Sequence, residues 1–183
     1  MGQNRGWLLS EAFNGGEVMT LTFRPSEESD IEELRLWLRD PDVLRYFPMS
    51  NEQECDDAIR NWINYRKMKA AITVMKDGVP VGMSNLYIQF FEKMKHQTLF
   101  SIIVAPGMRG QGIGTALLEY MKKYAQEAFK IEVLHLEVYD GNPAQRLYER
   151  AGFKVYGRHP AFIKEADGSY VDKICMELDF GWA

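Results

Sequence analysis

Seven consecutive residues, Arg109, Gly110, Gln111, Gly112, Ile113, Gly114 and Thr115, have the types and spacing that hold an anion. Glycines let a backbone approach a ligand closely and adopt conformations that a Cβ forbids. The stretch follows an apolar run at 100–104 and precedes an amphipathic run at 113–128, so it reads as the turn between a strand and a helix. Free N–H groups at such a helix start, with the positive end of the helix dipole, favour a phosphate. Arg109 adds a side chain that grips phosphate at two points. A Walker loop does not fit, because Thr115 follows Gly114 with no Lys. A dinucleotide fingerprint spaces its glycines G-x-G-x-x-G, whereas Gly110, Gly112 and Gly114 run G-x-G-x-G. The remaining competitor is a tight turn without a ligand, for which so many glycines beside an Arg are a costly choice.

A second constellation lies further along, from Asn142-Pro143-Ala144 through Leu147-Tyr148 to Gly152-Phe153. Asn142 suits a helix N-cap and Pro143 the first helical position. Ala144, Leu147 and Tyr148 share one helical face, and Gly152 suits a C-cap. Taken alone, this is a short capped helix with a tyrosine on its buried side.

These residues need elements to position them. Residues 21–23 form an expected first strand. The capping-rich segment 26–30 opens a helix carrying Ile31, Leu34, Leu36, Trp37 and Leu38. Asp40-Pro41-Asp42 breaks that helix, and 43–47 is a further short one. Ser50 opens another helix, with Ala58, Ile59, Trp62, Ile63 and Tyr65 as its apolar positions. Residues 71–75 and 79–87 are strands joined at Lys76-Asp77-Gly78, a hairpin signal. Residues 97–104 read as a buried strand. A long helix follows, with Ile113, Leu117, Tyr120, Met121 and Tyr124 on its core face. The strand 132–139, the helix 142–150 and the strands 153–156 and 170–180 complete the order. Alternating strands and helices imply a mixed α/β sheet. The helix after Val104 should join two parallel neighbours through a right-handed crossover.

The chain has 183 residues, enough for one domain with a full core. Residues 19–183 are expected to form that domain. Residues 1–18 read as a flexible extension holding Gly2, Gly6, Gly15 and Gly16, although Trp7, Leu8, Leu9 and Phe13 could dock on the domain or on a partner. No apolar run is long enough to span a bilayer and no secretory signal is visible. The two cysteines, Cys55 and Cys175, are far apart, which points to a reducing cytoplasm rather than a disulfide framework. His96, His135 and His159 are too scattered for a metal site, and no metal is expected. A net charge of −4 argues against nonspecific nucleic-acid binding.

Arg109-x-x-Gly112-x-Gly114 with Val104-Ala105-Pro106 ahead of it resembles the coenzyme-A pyrophosphate loop of the GNAT N-acetyltransferase superfamily. Asn-x-Ala-x-x-Leu-Tyr-x-x-x-Gly-Phe from Asn142 resembles that superfamily's second signature, in the right order and at the right distance. The resemblance covers residues 19–180. It implies a mixed, mostly antiparallel sheet of six to seven strands flanked by about four helices, with splayed central parallel strands, here 97–104 and 132–139. Acetyl-CoA would lie in the splay as co-substrate. Backbone groups of Ile102, Ile103 and Val104 would meet its pantetheine arm and the reacting carbonyl. Amides of Arg109, Gly110, Gln111, Gly112, Ile113, Gly114 and Thr115 would hold the pyrophosphate. Asn142 would bond the pantetheine end, and Tyr148 would bind cofactor and act as general acid toward the departing thiolate.

The implied reaction is direct attack of a primary amine, either a small-molecule amine or amino acid or a protein N-terminus, on the acetyl group in a ternary complex. Alternatives are a non-catalytic acetyl-CoA sensor or a transferase using another acyl-CoA. Many members of the superfamily carry a Glu base on the strand before the glycine loop, and residues 96–104 hold none. Ser101 orienting a water, His96 and Glu137 are the candidates in its place, and no base is assigned. Trp37, Arg45, Tyr46, Phe47, Asn85, Tyr87, Phe162 and Tyr170 fall where the acceptor pocket would form, though core packing accounts better for most of them. The segment 40–47 is mildly similar to the branch with ribosomal-protein N-terminal and small-amine acetyltransferases. Dimers are common in the superfamily, and a homodimer stays open.

Overall fold

In the computed structural model, which describes residues 8–14 and 17–181, the strands lie in one sheet of eight in the order β1-β2-β3-β4-β5-β6-β8-β7. The edge pair is β1 (Leu8–Asn14) and β2 (Glu17–Pro25), antiparallel with Asn14 opposite Glu17. The first strand was expected at residue 21, with 1–18 as a flexible extension. Instead, residues 8–14 pair along β2, which thereby gains a partner for its outer row of N–H and C=O groups. This strand takes the sheet from the expected six or seven strands to eight. Of the rest of the expected extension, residues 17 and 18 begin β2, and residues 1–7 and 15–16 lie outside the described residues.

Helices α1 (Asp30–Leu38), α2 (Pro41–Leu44) and α3 (Glu52–Asn64) follow, then β3 (Ala71–Lys76) and β4 (Val79–Tyr87). Asp77 and Gly78 both adopt positive φ, 51° and 79°, the conformation their hairpin turn demands. Next come β5 (Gln97–Val104), α4 (Ile113–Phe129), β6 (Val133–Tyr139) and α5 (Gln145–Arg150). The chain ends in β7 (Lys154–Lys164) and β8 (Tyr170–Asp179), the latter inserted between β6 and β7. Helix α2 was expected over 43–47 and instead begins at Pro41, behind an Asp40 carboxylate that accepts from the Asp42 amide. Five α-helices are present among the described residues, where the resemblance implied about four.

The sheet has a core on each face. Leu117, Leu118 and Met121 of α4 and Tyr148 of α5 pack with Phe100, Leu134, Leu136 and Val138 on one side. Leu34, Trp37, Ile59 and Trp62 of α1 and α3 pack with Ala71, Met83 and Ile103 on the other. Trp37, an expected acceptor-pocket residue, is a core residue here, 4% exposed.

A buried ion pair ties the helical layer to the sheet. The Arg24 guanidinium donates to both Asp30 oxygens, each at 2.6 Å. Asp30 also accepts from the Thr73 hydroxyl at 2.7 Å and the Glu27 amide at 2.8 Å. Burial pushes the Asp30 carboxyl up, but Arg24, the Glu27 amide and Thr73 together bring it below its ordinary value. A carboxyl lowered in the folded state contributes stability above its unfolded pKa, and this is lost as pH falls through the folded value. Asp30→Asn is therefore expected to destabilise by about 2 kcal/mol at neutral pH, because Arg24 loses its charged partner. Denaturant titration of both proteins at neutral and strongly acidic pH should show the gap closing in acid.

The feature that positions the site is the junction of β5 and β6. These strands pair in parallel only at Gln97, Thr98 and Leu99 with Val133, Leu134 and His135. Beyond Leu99, β5 stays paired to β4 as far as Val104, and β6 stays paired to β8 as far as Tyr139. Each strand follows its outer neighbour and the two half-sheets separate. The sense of the exposed edge follows from alternation along a strand. The His96 carbonyl accepts from Glu132 and Val133 on the β6 side, whereas the Ala105 amide donates to Val81 on the β4 side. The Phe100 carbonyl and the backbone groups of Ile102 and Val104 therefore face the gap without a strand partner, while the Phe100 amide still reaches His135 at the last bridge. Polar groups in that position call for a ligand or water.

Candidate functional site

The glycine stretch forms the turn from β5 into α4. Gly110 and Gly112 have φ of 74° and 81°, in the left-handed region that side chains resist. Gly112 is the N-cap of α4 and brings no capping side chain, so the first-turn amides stay available. Arg109 is exposed, and its Nη1 reaches the Asp42 carbonyl at 3.3 Å, linking the turn to α2. Gln111 braces the loop by donating to the Gly107 carbonyl at 3.2 Å. A Cβ on Gly114 would stand 3.5 Å from Leu147 and 3.6 Å from Val104, where α4, α5 and β5 converge.

Between the splayed strands lies a cavity of about 450 Å³. One wall is Phe100 through Val104 of β5, and the other is Leu136, Glu137 and Val138 of β6. Arg109, Gly110 and Gly114 lie at the loop end, Asn142, Leu147 and Tyr148 at the α5 side, and Val43, Tyr46 and Phe47 on the α2 side. The structure thus brings Ile102, Ile103, Val104, Arg109, Gly110, Gly114, Asn142 and Tyr148 to one cavity. It leaves Gln111, Gly112, Ile113 and Thr115 on the loop and first helical turn, outside the lining. Ile113 is 1% exposed and belongs to the core, so only its backbone amide is available to a ligand.

Tyr148 is held edge-on to Phe100 and Phe153. Burial pushes its hydroxyl well above the ordinary tyrosine range, so it stays protonated through the working pH range. Among the described residues, no group hydrogen-bonds that hydroxyl. A buried neutral phenol lining a cavity has a proton it can donate. The helix carrying it starts at Gln145, three residues later than expected. Asn142 lies in the turn before the helix, where its Oδ1 accepts from the Ala144 amide at 2.9 Å, still a capping bond but one turn early.

The acceptor-side candidates divide. Tyr46 and Phe47 line the cavity, and Arg45 and Tyr46 also line a second one with Tyr139, Asp140, Glu165, Asp167 and Val171. Burial first, then Glu137 and Glu165, pushes Tyr139 up to about 12. Asn85 is fully buried. Its Oδ1 accepts from the Ser101 hydroxyl, to which Tyr87 donates at 3.3 Å, while its Nδ2 has no partner. Phe162 and Tyr170 are exposed on β7 and β8. His96 is exposed at the far end of β5, away from the cavity. Sequence reasoning missed Val43, Leu136, Val138 and Arg150 as lining residues. The even-numbered apolar positions of 132–139 were the available signal for Leu136 and Val138, but that signal equally describes a core strand.

No helix among the described residues is long and apolar enough to cross a membrane, and no group of three or more His, Cys, Asp or Glu in them is arranged to hold a metal ion.

Comparisons with known proteins agree with this geometry. The profile of the Acetyltransferase (GNAT) family matches residues 31–153. Streptothricin acetyltransferase of Streptomyces lavendulae is 28% identical over 155 residues, covering 84% of this chain and 79% of the relative. Spermidine N-acetyltransferase of Vibrio cholerae, solved with CoA and spermine, superposes with a TM-score of 0.71 at 23% identity, covering 87% of this chain and 95% of the other. A Salmonella typhimurium chain, yncA, solved with its cofactor acetyl-CoA, gives 0.74 at 19% identity, covering 89% and 95%. A glycine turn, splayed strands and buried tyrosine within a matched profile that spans most of the chain lead to one assignment: the chain belongs to the GNAT acetyltransferase family and is an acyltransferase.

Proposed function

We propose that this chain transfers an acetyl group from acetyl-CoA to a primary amine by direct attack within a ternary complex. The observation that carries this reading is the set of unpaired backbone groups of Ile102 and Val104, with the Phe100 carbonyl, which face a cavity with the glycine turn at one end and Tyr148 on its wall. That cavity fits an extended, amide-bearing arm ending in a diphosphate. Ile102 and Val104 would pair with the arm as a strand would. The amides of residues 109–115 and the Arg109 guanidinium would take the diphosphate. An amide of the β5 edge would donate to the carbonyl oxygen as charge develops there. Asn142 would bond the arm near its reactive end. Tyr148 would give its proton to the departing sulfur.

The amine would arrive from the α2 side, where the second cavity adjoins the first at Tyr46. That cavity carries Asp140, Glu165 and Asp167 beside aromatic rings, a lining that suits a protonated amine. The named substrate of one relative is streptothricin, and spermine occupies one structural neighbour, which supports an amine-bearing acceptor here.

Free-thiol release from acetyl-CoA, measured across amino acids, polyamines, aminoglycosides and N-terminal peptides, tests the reading. Release with one amine class is expected, and CoA binding without release from any amine would contradict it. Arg109→Ala is expected to weaken acetyl-CoA binding about tenfold, because an exposed guanidinium is partly screened by salt. Calorimetry at two ionic strengths should show the gap narrowing at high salt.

A further inference from the structure

We propose that Ser101 holds the attacking nitrogen of the acceptor and makes the enzyme select primary over secondary amines. This rests on the reading that acetyl-CoA lies in the splay between β5 and β6. Among the described residues of β5 that line the cavity, Ser101 carries the only polar side chain.

Its place relative to the thioester follows from the two ends of the cavity. The glycine turn lies past Val104, and Tyr148 meets Phe100 edge-on with ring centroids 6.1 Å apart. An arm entering from the turn would therefore present its reactive end beside residues 100–102. Phe100, Ile102 and Val104 pack into the core of α4 and α5, and Ile103 packs with α1 and α3. Alternation along β5 puts the Ser101 side chain on the Ile103 side. Val43, Tyr46 and Phe47 line the cavity on that side, from which the amine would arrive.

The hydroxyl is wired to accept and not to donate. Its proton goes to Asn85 Oδ1, and its oxygen accepts from the Tyr87 hydroxyl at 3.3 Å. A serine oxygen has two lone pairs, so one remains. A free hydroxyl would donate to the amine lone pair and blunt the nucleophile. Ser101 does not, because Asn85 already takes its proton. The remaining lone pair suits an amine N–H. Asn85 is fully buried and stands opposite Ser101 in the β4–β5 register. Its Nδ2 has no partner, a cost that an apolar residue there would avoid. Asn85 and Tyr87 act as positioning residues.

A neutral primary amine has two N–H groups and one lone pair. One N–H binds Ser101, which aims the lone pair at the acetyl carbon. The nitrogen–carbon bond forms, and the carbon–sulfur bond breaks with its electron pair leaving on sulfur, which takes the Tyr148 proton. As nitrogen becomes positive its N–H becomes a stronger donor, so the bond to Ser101 tightens in the transition state. The other nitrogen proton passes to water, and Tyr148 regains one from water after the thiol leaves. Neutral amine and thioester thus give amide and free thiol with no net proton released, and Ser101 takes no proton at any step. A secondary amine has one N–H, so it cannot both hold Ser101 and give up a proton.

The test is Ser101→Ala, assayed with acetyl-CoA, the amine of the panel that gives the fastest thiol release, and the N-methyl analogue of that amine. With the primary amine, kcat should fall about 30-fold, and acetyl-CoA affinity by calorimetry should be unchanged. The N-methyl analogue should lose far less, so the preference for the primary amine shrinks. Ser101→Thr, which keeps the hydroxyl, should recover most of the rate. The pH profile of Ser101→Ala should match the parent's, because Ser101 moves no proton. Asn85→Ala should lower kcat in the parent and add nothing in Ser101→Ala, whereas a merely structural role would lower both. Tyr87→Phe, a milder change, closes the same cycle. A kcat for Ser101→Ala within about twofold of the parent would overturn the proposal. So would equal losses with both amines, or a loss that alkaline pH relieves. Gly112→Asp separates the two claims. Normal acetyl-CoA affinity in that folded variant overturns the cofactor placement. Weakened affinity there, with full turnover in Ser101→Ala, overturns the nitrogen's anchor alone.

Discussion

Tyr148→Phe should lower kcat by about 1,000-fold and leave acetyl-CoA affinity within about twofold. The substitution removes one hydroxyl and keeps the ring that packs against Phe100 and Phe153, so folding and the cavity wall survive. No described residue hydrogen-bonds that hydroxyl, so its removal leaves no orphaned partner in the free protein. What disappears is a proton donor made only when sulfur leaves, the kind of interaction that alters kcat rather than binding. Burial holds the phenol protonated, so Tyr148 itself should impose no loss of activity on the alkaline side of the working pH range. Steady-state kinetics with parallel calorimetry would check both halves. Equal loss in kcat and affinity would mean that Tyr148 binds rather than donates.

The second large effect is expected at the turn. Gly112→Asp should weaken acetyl-CoA binding by about 3 kcal/mol, roughly 150-fold. Gly112 stands at φ 81°, where a Cβ is strained, immediately before the first amides of α4. If the loop keeps its shape, a carboxylate faces the bound diphosphate. If it relaxes, the amides turn away. Either route costs binding energy, while the helix behind the loop keeps its core face through Leu117, Leu118 and Met121. Calorimetry with CoA, alongside a thermal melt showing a folded protein, would check this. A folded variant with parental affinity would contradict the loop's role.

How far the sequence could be read depended on how local each signal was. The Asp77-Gly78 hairpin, the long helix after the glycines and the strand before them were legible because their determinants sit within a few residues. The strand at Leu8–Asn14 was not legible. Its reason to be ordered is the open edge of β2, a partner that composition does not reveal. The start of α5 was misplaced because Asn142 caps through an Asx-type bond one turn ahead of the helix proper. Arg109, Gly112, Asn142 and Tyr148 were nominated by their motif spacing, and the structure brings Arg109, Asn142 and Tyr148 to one cavity. Glu137 carried no motif spacing and stood only as one of three candidate bases. Its place on a cavity wall follows from the loss of pairing between β5 and β6 past Leu99. Trp37 shows the reverse, an aromatic residue in the expected acceptor region that the packing of α1 against α3 consigns to the core.

Amide hydrogen exchange, measured with and without CoA, tests the central claim most directly. If CoA lies between the splayed strands, the amides of Ile102 and Val104 and those of residues 113–115 gain protection together. The Ile103 amide, which faces β4, changes little. Protection confined to other parts of the chain, with Ile102 and Val104 exchanging as freely as before, would contradict the account.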